Sequence, residues 1–151
     1  MYGPSVRQFF FKDDHSPVYD YARFDPDAPG GRRRSVYRFL VRSVPDPFMD
    51  ALDCPDANLL TPKRNTTLTA LQALSLLNDP FVIRQCEHLA ARLEKDRPGD
   101  RKGQIELLYF LTVGRTPTDD EAETLLNHAA THAVSSACRV MLNANEFVFI
   151  D

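Results

Sequence analysis

Proline divides this chain before anything else does. Eight of the eleven prolines fall before residue 65: Pro4, Pro17, Pro26, Pro29, Pro45, Pro47, Pro55 and Pro62. Only Pro80, Pro98 and Pro117 follow. A proline lacks the backbone N–H and clashes with the preceding helical turn, so the first part of the chain is largely extended or looped. The second part is open to long helices. The pattern predicts a mainly α fold, with an irregular N-terminal wrap over residues 1–64 and a bundle-like helical body over residues 65–151, both in one domain.

The run Pro62 to Pro80 joins the two parts. Its basic, hydroxyl-rich entry, Pro62-Lys63-Arg64-Asn65-Thr66-Thr67, leads into Leu68, Ala70, Leu71, Ala73, Leu74, Leu76 and Leu77. Thr66 or Thr67 is placed to cap a helix that runs through Asn78. Apolar residues surround that helix on nearly every side, which predicts a central, buried position. Asp79-Pro80 then caps and starts the next helix, with proline at the first position, where no hydrogen bond is lost.

Three more helices follow from periodicity. Val82, Cys86, Leu89, Ala90 and Leu93 give the stripe of the helix after Pro80, which stops at Arg97-Pro98-Gly99-Asp100. Ile105, Leu108 and Leu111 mark the next, ending near Gly114. Thr118-Asp119-Asp120-Glu121 reads as a capping box, with Ala122, Leu125, Leu126 and Ala129 inward. A last helix starts near Ser135, with Ala137, Cys138, Met141 and Leu142 facing the core.

The first part is harder to read. Phe9, Phe10, Phe11, Tyr19, Tyr21 and Phe24 lie among Asp13, Asp14, Asp20, Asp25 and Asp27. Aromatics this dense rarely stay in water, so this arm is expected to pack on another domain or chain. Ala28-Pro29-Gly30-Gly31 reads as a flexible joint. Residues 32–44 fit a helix through Val36, Phe39 and Leu40, or a strand through Tyr37, Phe39 and Val41; the helix is favoured because Pro45 and Pro47 stop it. Residues 45–62 read as a loop with one short turn at 48–52.

Length and charge exclude several functions. The chain has 151 residues and a net charge of −3, which argues against a general nucleic-acid or anionic-membrane binder. No apolar stretch reaches membrane-spanning length. No signal peptide is visible, so this chain alone reads as cytoplasmic. The cysteines Cys54, Cys86 and Cys138 form no C-x-x-C pair; Cys86 and Cys138 read as buried thiols.

Two clusters are the candidate sites. Arg32, Arg33, Arg34 and Arg38, with Arg42 beside them and Lys63 and Arg64 further on, form a candidate anion or partner patch. Asp46, Asp50, Asp53 and Asp56 form a candidate acidic cluster. Its spacing does not match a calcium loop, and Asp before proline commonly starts turns, so no metal is expected. Pairing of the arginines with the acids of residues 13–27 or 46–56 is the plainer reading of the basic patch. His128 and His132 stand four apart with no third ligand, which reads as an exposed helix face. His15 in Asp14-His15-Ser16 cannot form a triad, because a triad is assembled from separate elements. No catalytic residue is identified, and no cofactor is expected in this chain.

Several longer stretches carry a family resemblance. They are Pro29-Gly30-Gly31-Arg32-Arg33-Arg34-Ser35-Val36-Tyr37-Arg38-Phe39, Val44-Pro45-Asp46-Pro47-Phe48-Met49, the run Leu59 through Leu74, and Leu77-Asn78-Asp79-Pro80-Phe81. Gly114-Arg115-Thr116-Pro117-Thr118 with Glu121, and Leu142-Asn143-Ala144-Asn145-Glu146-Phe147, belong to the same pattern. Together they resemble the C-terminal part of the planctomycete-specific domain of unknown function, family 1553 of such domains. The resemblance implies a piece of a larger exported protein that often carries a cytochrome c domain, and hence a periplasmic or extracytoplasmic place. It transfers no reaction and no catalytic residue. Three functions follow as expectations: a non-catalytic structural or partner-binding module, a fragment of a hydrolase acting on polysaccharide or sulfated glycan, or a redox accessory to a cytochrome c domain.

Overall fold

The computed structural model describes residues 5–12, 18–55 and 69–148. It is mainly α, with seven α-helices and one two-stranded sheet among the described residues. The chain divides into two compact units, Met1–Gln72 and Ala73–Asp151.

The first unit is built from short pieces. Strands β1 (Phe10–Lys12) and β2 (Val18–Asp20) pair antiparallel, with Phe11 opposite Tyr19. Phe9, just before β1, is buried against Tyr19, Tyr21 and Phe39 in edge-on ring contacts with centroids 5.2, 5.6 and 6.0 Å away. Such geometry sets the positive ring edge against the negative ring face. The aromatic arm therefore packs in part on its own unit. Asp20 and Asp25, two of its interleaved acids, accept from the backbone N–H two residues on, at 3.1 and 2.9 Å, and so fix turns.

Two expectations fail here. Ala28-Pro29-Gly30-Gly31 is no loose joint: Pro29–Arg32 forms a 3-10 turn in which Gly31 is buried. A Cβ on Gly30 would come 2.2 Å from Val6 Cγ1, so that glycine permits a close approach. The favoured helix over residues 32–44 is also absent. Only Ser35–Tyr37 makes a 3-10 turn, and the chain is extended around Arg38. The Val6 N–H donates to Tyr37 O and the Phe39 N–H to Val6 O, both at 2.9 Å, in a parallel bridge of Val6 with Arg38. Backbone groups bonded across to a distant segment are withdrawn from a helical ladder.

Helix α1 (Pro47–Ala51) is the short turn expected near 48–52, with Asp46 as its cap. Helix α2 (Ala70–Asn78) crosses the boundary between the units. The entry Pro62 to Leu68, with Thr66 and Thr67, lies outside the described residues. The cap is Thr69, whose hydroxyl accepts from the Gln72 N–H while the Gln72 side chain accepts from the Thr69 N–H, each at 3.2 Å. This reciprocal pair is a capping box. The expected burial fails: no residue of α2 is buried, and Leu71 and Leu74 are 62% and 55% exposed. Apolar composition says that a surface is better out of water; it does not supply the cover.

The second unit follows the sequence closely. Helices α3 (Pro80–Asp96), α4 (Arg101–Val113), α5 (Asp119–His132), α6 (Val134–Leu142) and α7 (Asn145–Val148) complete the chain's described elements. Asp79 caps α3 by accepting from the Phe81 N–H at 2.9 Å, and Thr118 and Glu121 form the expected capping box of α5. Gly114 ends α4 at φ 77°, a left-handed conformation that glycine adopts without penalty. The core is Val82, Cys86 and Leu93 from α3, Ile105, Leu108 and Tyr109 from α4, Ala122 and Leu125 from α5, and Val134, Ala137, Cys138 and Met141 from α6. Leu111, expected inward, sits at the margin, and Gln104 is buried instead. Its amide donates to Glu94 Oε2 (2.7 Å) and Arg97 O (2.8 Å) and accepts from Arg101 (2.9 Å), so a polar group out of water keeps its partners. Small residues Ala137 and Cys138 let α6 pack closely against α3.

Candidate functional site

The Val6 bridge, the turn at 35–37 and the Asp46-Pro47 cap bring three separate segments of the first unit around one cavity of about 490 Å³. Its wall is mostly apolar, formed by Val36, Phe39, Leu40, Val41, Pro45 and Met49. Gln8, Tyr21, Arg38, Arg42, Asp46, Asp50 and Cys54 supply the polar groups. Pro45 and Pro47 turn the chain so that α1 closes one side.

Charge in the cavity is mutually compensated. Arg38 donates to Asp46 Oδ2 at 3.0 Å, and the two side chains are only 11% and 15% exposed. The other oxygen, Oδ1, accepts from the Phe48 and Met49 N–H groups at 3.0 and 3.4 Å. One carboxylate thus caps α1 and holds an arginine, with both oxygens engaged. The Tyr21 hydroxyl donates to Val44 O at 2.7 Å. Burial first, then the nearby negative charge of Asp46, pushes that phenol above its ordinary range.

The described members of the two candidate clusters take different places. Of the arginines, Arg38 pairs with Asp46, and Arg33 lies over the Tyr37 ring at 4.4 Å. Arg32 and Arg34 are exposed; Lys63 and Arg64 lie outside the described residues. Of the acids, Asp46 and Asp50 reach the cavity wall. Asp53 instead takes a left-handed backbone (φ 56°) and accepts from Gln72 Nε2 at 2.7 Å. Asp56 lies outside the described residues. The arginine–acid pairing anticipated from their alternation is realised at Arg38 and Asp46.

Among the described residues, no group of three or more His, Cys, Asp or Glu is arranged to hold a metal ion. His128 and His132 do come together, with ring centroids 4.9 Å apart, and His128 Nε2 is 2.9 Å from Ser136 Oγ. His15 lies outside the described residues. Cys86 and Cys138 are fully buried, and burial raises their thiols to about 11 and about 12. Neither forms the reactive thiolate near neutral pH. Cys54 is half-buried on the cavity wall.

The second unit holds a polar cluster of a different kind. Arg115 forks onto both oxygens of Glu121 (2.8 and 2.7 Å) and of Glu146 (2.7 and 2.8 Å). It also stands over the Tyr109 ring at 5.4 Å. One guanidinium thereby joins the end of α4, the start of α5 and α7. Its hydrogen bonds hold Glu121 down at about 2 and lower Glu146, while both acids raise Arg115 further. Planar bidentate pairing is what arginine does and lysine does not. This is a structural clamp, and it gives physical content to Gly114-Arg115-Thr116-Pro117-Thr118, Glu121 and Glu146.

Sequence reasoning missed Gln8, Tyr21, Met49 and Cys54, which belong to the cavity. No local signal marks them, because contacts distant in sequence, the Val6 bridge and the Phe9–Phe39 ring pair, bring residue 8 beside residues 35–42. Thr69-x-x-Gln72, in contrast, was readable as a capping box.

Fold and site together define a mainly α protein whose irregular first unit carries an apolar-walled cavity. The chain belongs to the family described as PSD1, protein of unknown function (DUF1553), whose model matches residues 1–129. The match takes in the whole first unit and reaches into α5; the stretch 142–147 lies beyond it. No curated protein and no solved structure gives a significant match.

Proposed function

We propose that the chain is a non-catalytic, mainly helical module of a larger exported protein, serving internal packing and partner binding. The use of its acids carries this reading. Glycoside hydrolysis needs two carboxyl groups facing substrate at a defined separation. Here Asp46 is committed to a helix cap and an ion pair, and Asp53 to the Gln72 amide. The partner surface is the hairpin, where Phe10, Phe11 and Val18 stay exposed beside short strand edges. Exposed apolar side chains on a strand edge suit contact with another chain or domain. A cytochrome c domain is the companion that the resemblance implies, with any haem held by that companion.

The test has two arms. The purified chain, incubated with polysaccharides and sulfated glycans, is expected to release neither reducing ends nor sulfate; turnover abolished by Asp50→Asn overturns the reading. Binding of a separately produced cytochrome c domain, followed by calorimetry, should weaken in Phe11→Ser. Equal affinity removes the hairpin from the interface. No described helix is long and apolar enough to cross a membrane.

A further inference from the structure

We propose that His128 and His132 form a chelating site for one divalent transition-metal ion of the zinc, nickel or copper class, at the C-terminal end of α5. The two imidazoles stand one helical turn apart on α5 and share a face. Their ring centroids are 4.9 Å apart, and the planes are tilted by 48° rather than stacked. Metal–nitrogen bonds of about 2.0–2.1 Å in a tetrahedral arrangement hold two imidazole centroids about 5 Å apart. The pair therefore stands at the separation that one shared ion requires.

A second contact distinguishes the pair from two polar side chains on a solvated face. His128 is half-buried, and its Nε2 lies 2.9 Å from Ser136 Oγ on α6. Ala133 alone joins α5 to α6, at φ 75° and ψ 159°, a backbone region that is nearly the preserve of glycine. This strained joint brings Ser136 back onto a ring eight positions earlier. When Nε2–H donates to the serine, Nδ1 carries the lone pair, which is how a ligating histidine is usually held. Neither His128 Nδ1 nor either His132 nitrogen has a hydrogen-bond partner among the described residues. His132 ends α5, where the outward carbonyls form a negative dipole end that favours a cation. Among the described residues no third His, Cys, Asp or Glu joins the pair, so the other positions on the ion go to water or another donor. Two imidazoles without a carboxylate suit Zn²⁺, Ni²⁺ or Cu²⁺, whereas Ca²⁺ and Mg²⁺ take oxygen ligands.

Ni²⁺ is the probe, because its paramagnetism reports position. The full chain, with Cys54 alkylated beforehand, is titrated with nickel chloride by calorimetry and should show one site. His128→Gln and His132→Gln should each weaken it about tenfold or more, because the second imidazole binds as an intramolecular group. The double variant should bind about as weakly as either single one, since losing one ligand already dissolves the chelate. His88→Gln, on α3, should change nothing. Amide signals around residues 128–136 should broaden first. Ni²⁺ should also raise the melting temperature of the wild type and leave that of His132→Gln unmoved, because an ion held by the folded chain stabilises it. His132 is exposed, so its replacement leaves the core intact, and the metal-free melting curve checks this. No binding by the wild type, undiminished binding in the folded His132→Gln variant, an equal loss in His88→Gln, or Mg²⁺ binding of the same strength overturns the proposal. The site belongs to the second unit and the hairpin to the first, so this proposal and the partner-binding reading fail separately.

Discussion

The two units of this chain solve the same problem with different means. The second buries apolar stripes of long helices against one another, and its largest fully buried side chains are Leu93, Ile105 and Leu108. Among its described residues the first has strands of three residues, two 3-10 turns and a five-residue helix, and of these residues only Gln8, Phe9, Gly31 and Val41 are buried. It is held by ring contacts, an ion pair that doubles as a cap, and a glycine that lets two segments touch. Long helices satisfy their own backbone and leave side chains to fill the core. Short elements cannot, so their side chains are spent on backbone groups and gaps persist between them. The candidate site lies in the unit that packs less completely, and the unit with the better core has a polar cluster that only clamps helices.

Four measurements can break or sharpen this contrast. Leu108→Ala should have the largest effect, about 3 kcal/mol or more in denaturant unfolding, because it empties a fully buried position between helices. A loss below about 1 kcal/mol would mean that the body repacks easily, and the contrast in packing would not stand. Gly30→Ala comes next, at about 1–3 kcal/mol, since the added methyl would meet Val6. Amide exchange should place the loss in residues 5–55; unchanged protection there would show that the Val6 contact yields at little cost.

Asp46→Ala should cost about 0.5–2 kcal/mol from the lost cap. It also removes the carboxylate to which Arg38 donates, so the change should speed alkylation of Cys54 on the same cavity wall. An unchanged labelling rate would separate α1 from the cavity's shape.

The smallest effect is that of pH on the Arg115 clamp. Glu121 is depressed in the folded chain from 4.5 to about 2. A depressed carboxyl contributes stability above its unfolded value and loses it as pH falls through the folded one. Wild-type melting temperature should therefore decline between about 4.5 and about 2, and Glu121→Gln should flatten part of that decline. All three groups are partly exposed, so salt should weaken the effect. An unaltered acid profile in Glu121→Gln would assign acid sensitivity to other carboxylates.

How legible each unit was follows from the range of its interactions. Stops at Asp79-Pro80, Arg97-Pro98-Gly99-Asp100 and Gly114 are local chemistry, as is the capping box at Thr118 and Glu121; each could be read residue by residue. The bridge of Val6 with Arg38 spans more than thirty positions, and nothing near residue 38 announces it. A helix pattern over 32–44 therefore lost to hydrogen bonds made elsewhere. Asp46 was visible as an acid beside a proline, but its arginine partner was one of several candidates.

The sequence alone determined the mainly helical class, the helical body with its caps and inward stripes, and the family, because these rest on periodicity and on patterns within a few residues. Tertiary structure decided that α2 leaves Leu71 and Leu74 in water, that Arg38 takes Asp46 as its partner, and that Gln8 reaches a cavity wall. Burial and partner choice depend on which distant segments meet, and no local pattern encodes that meeting.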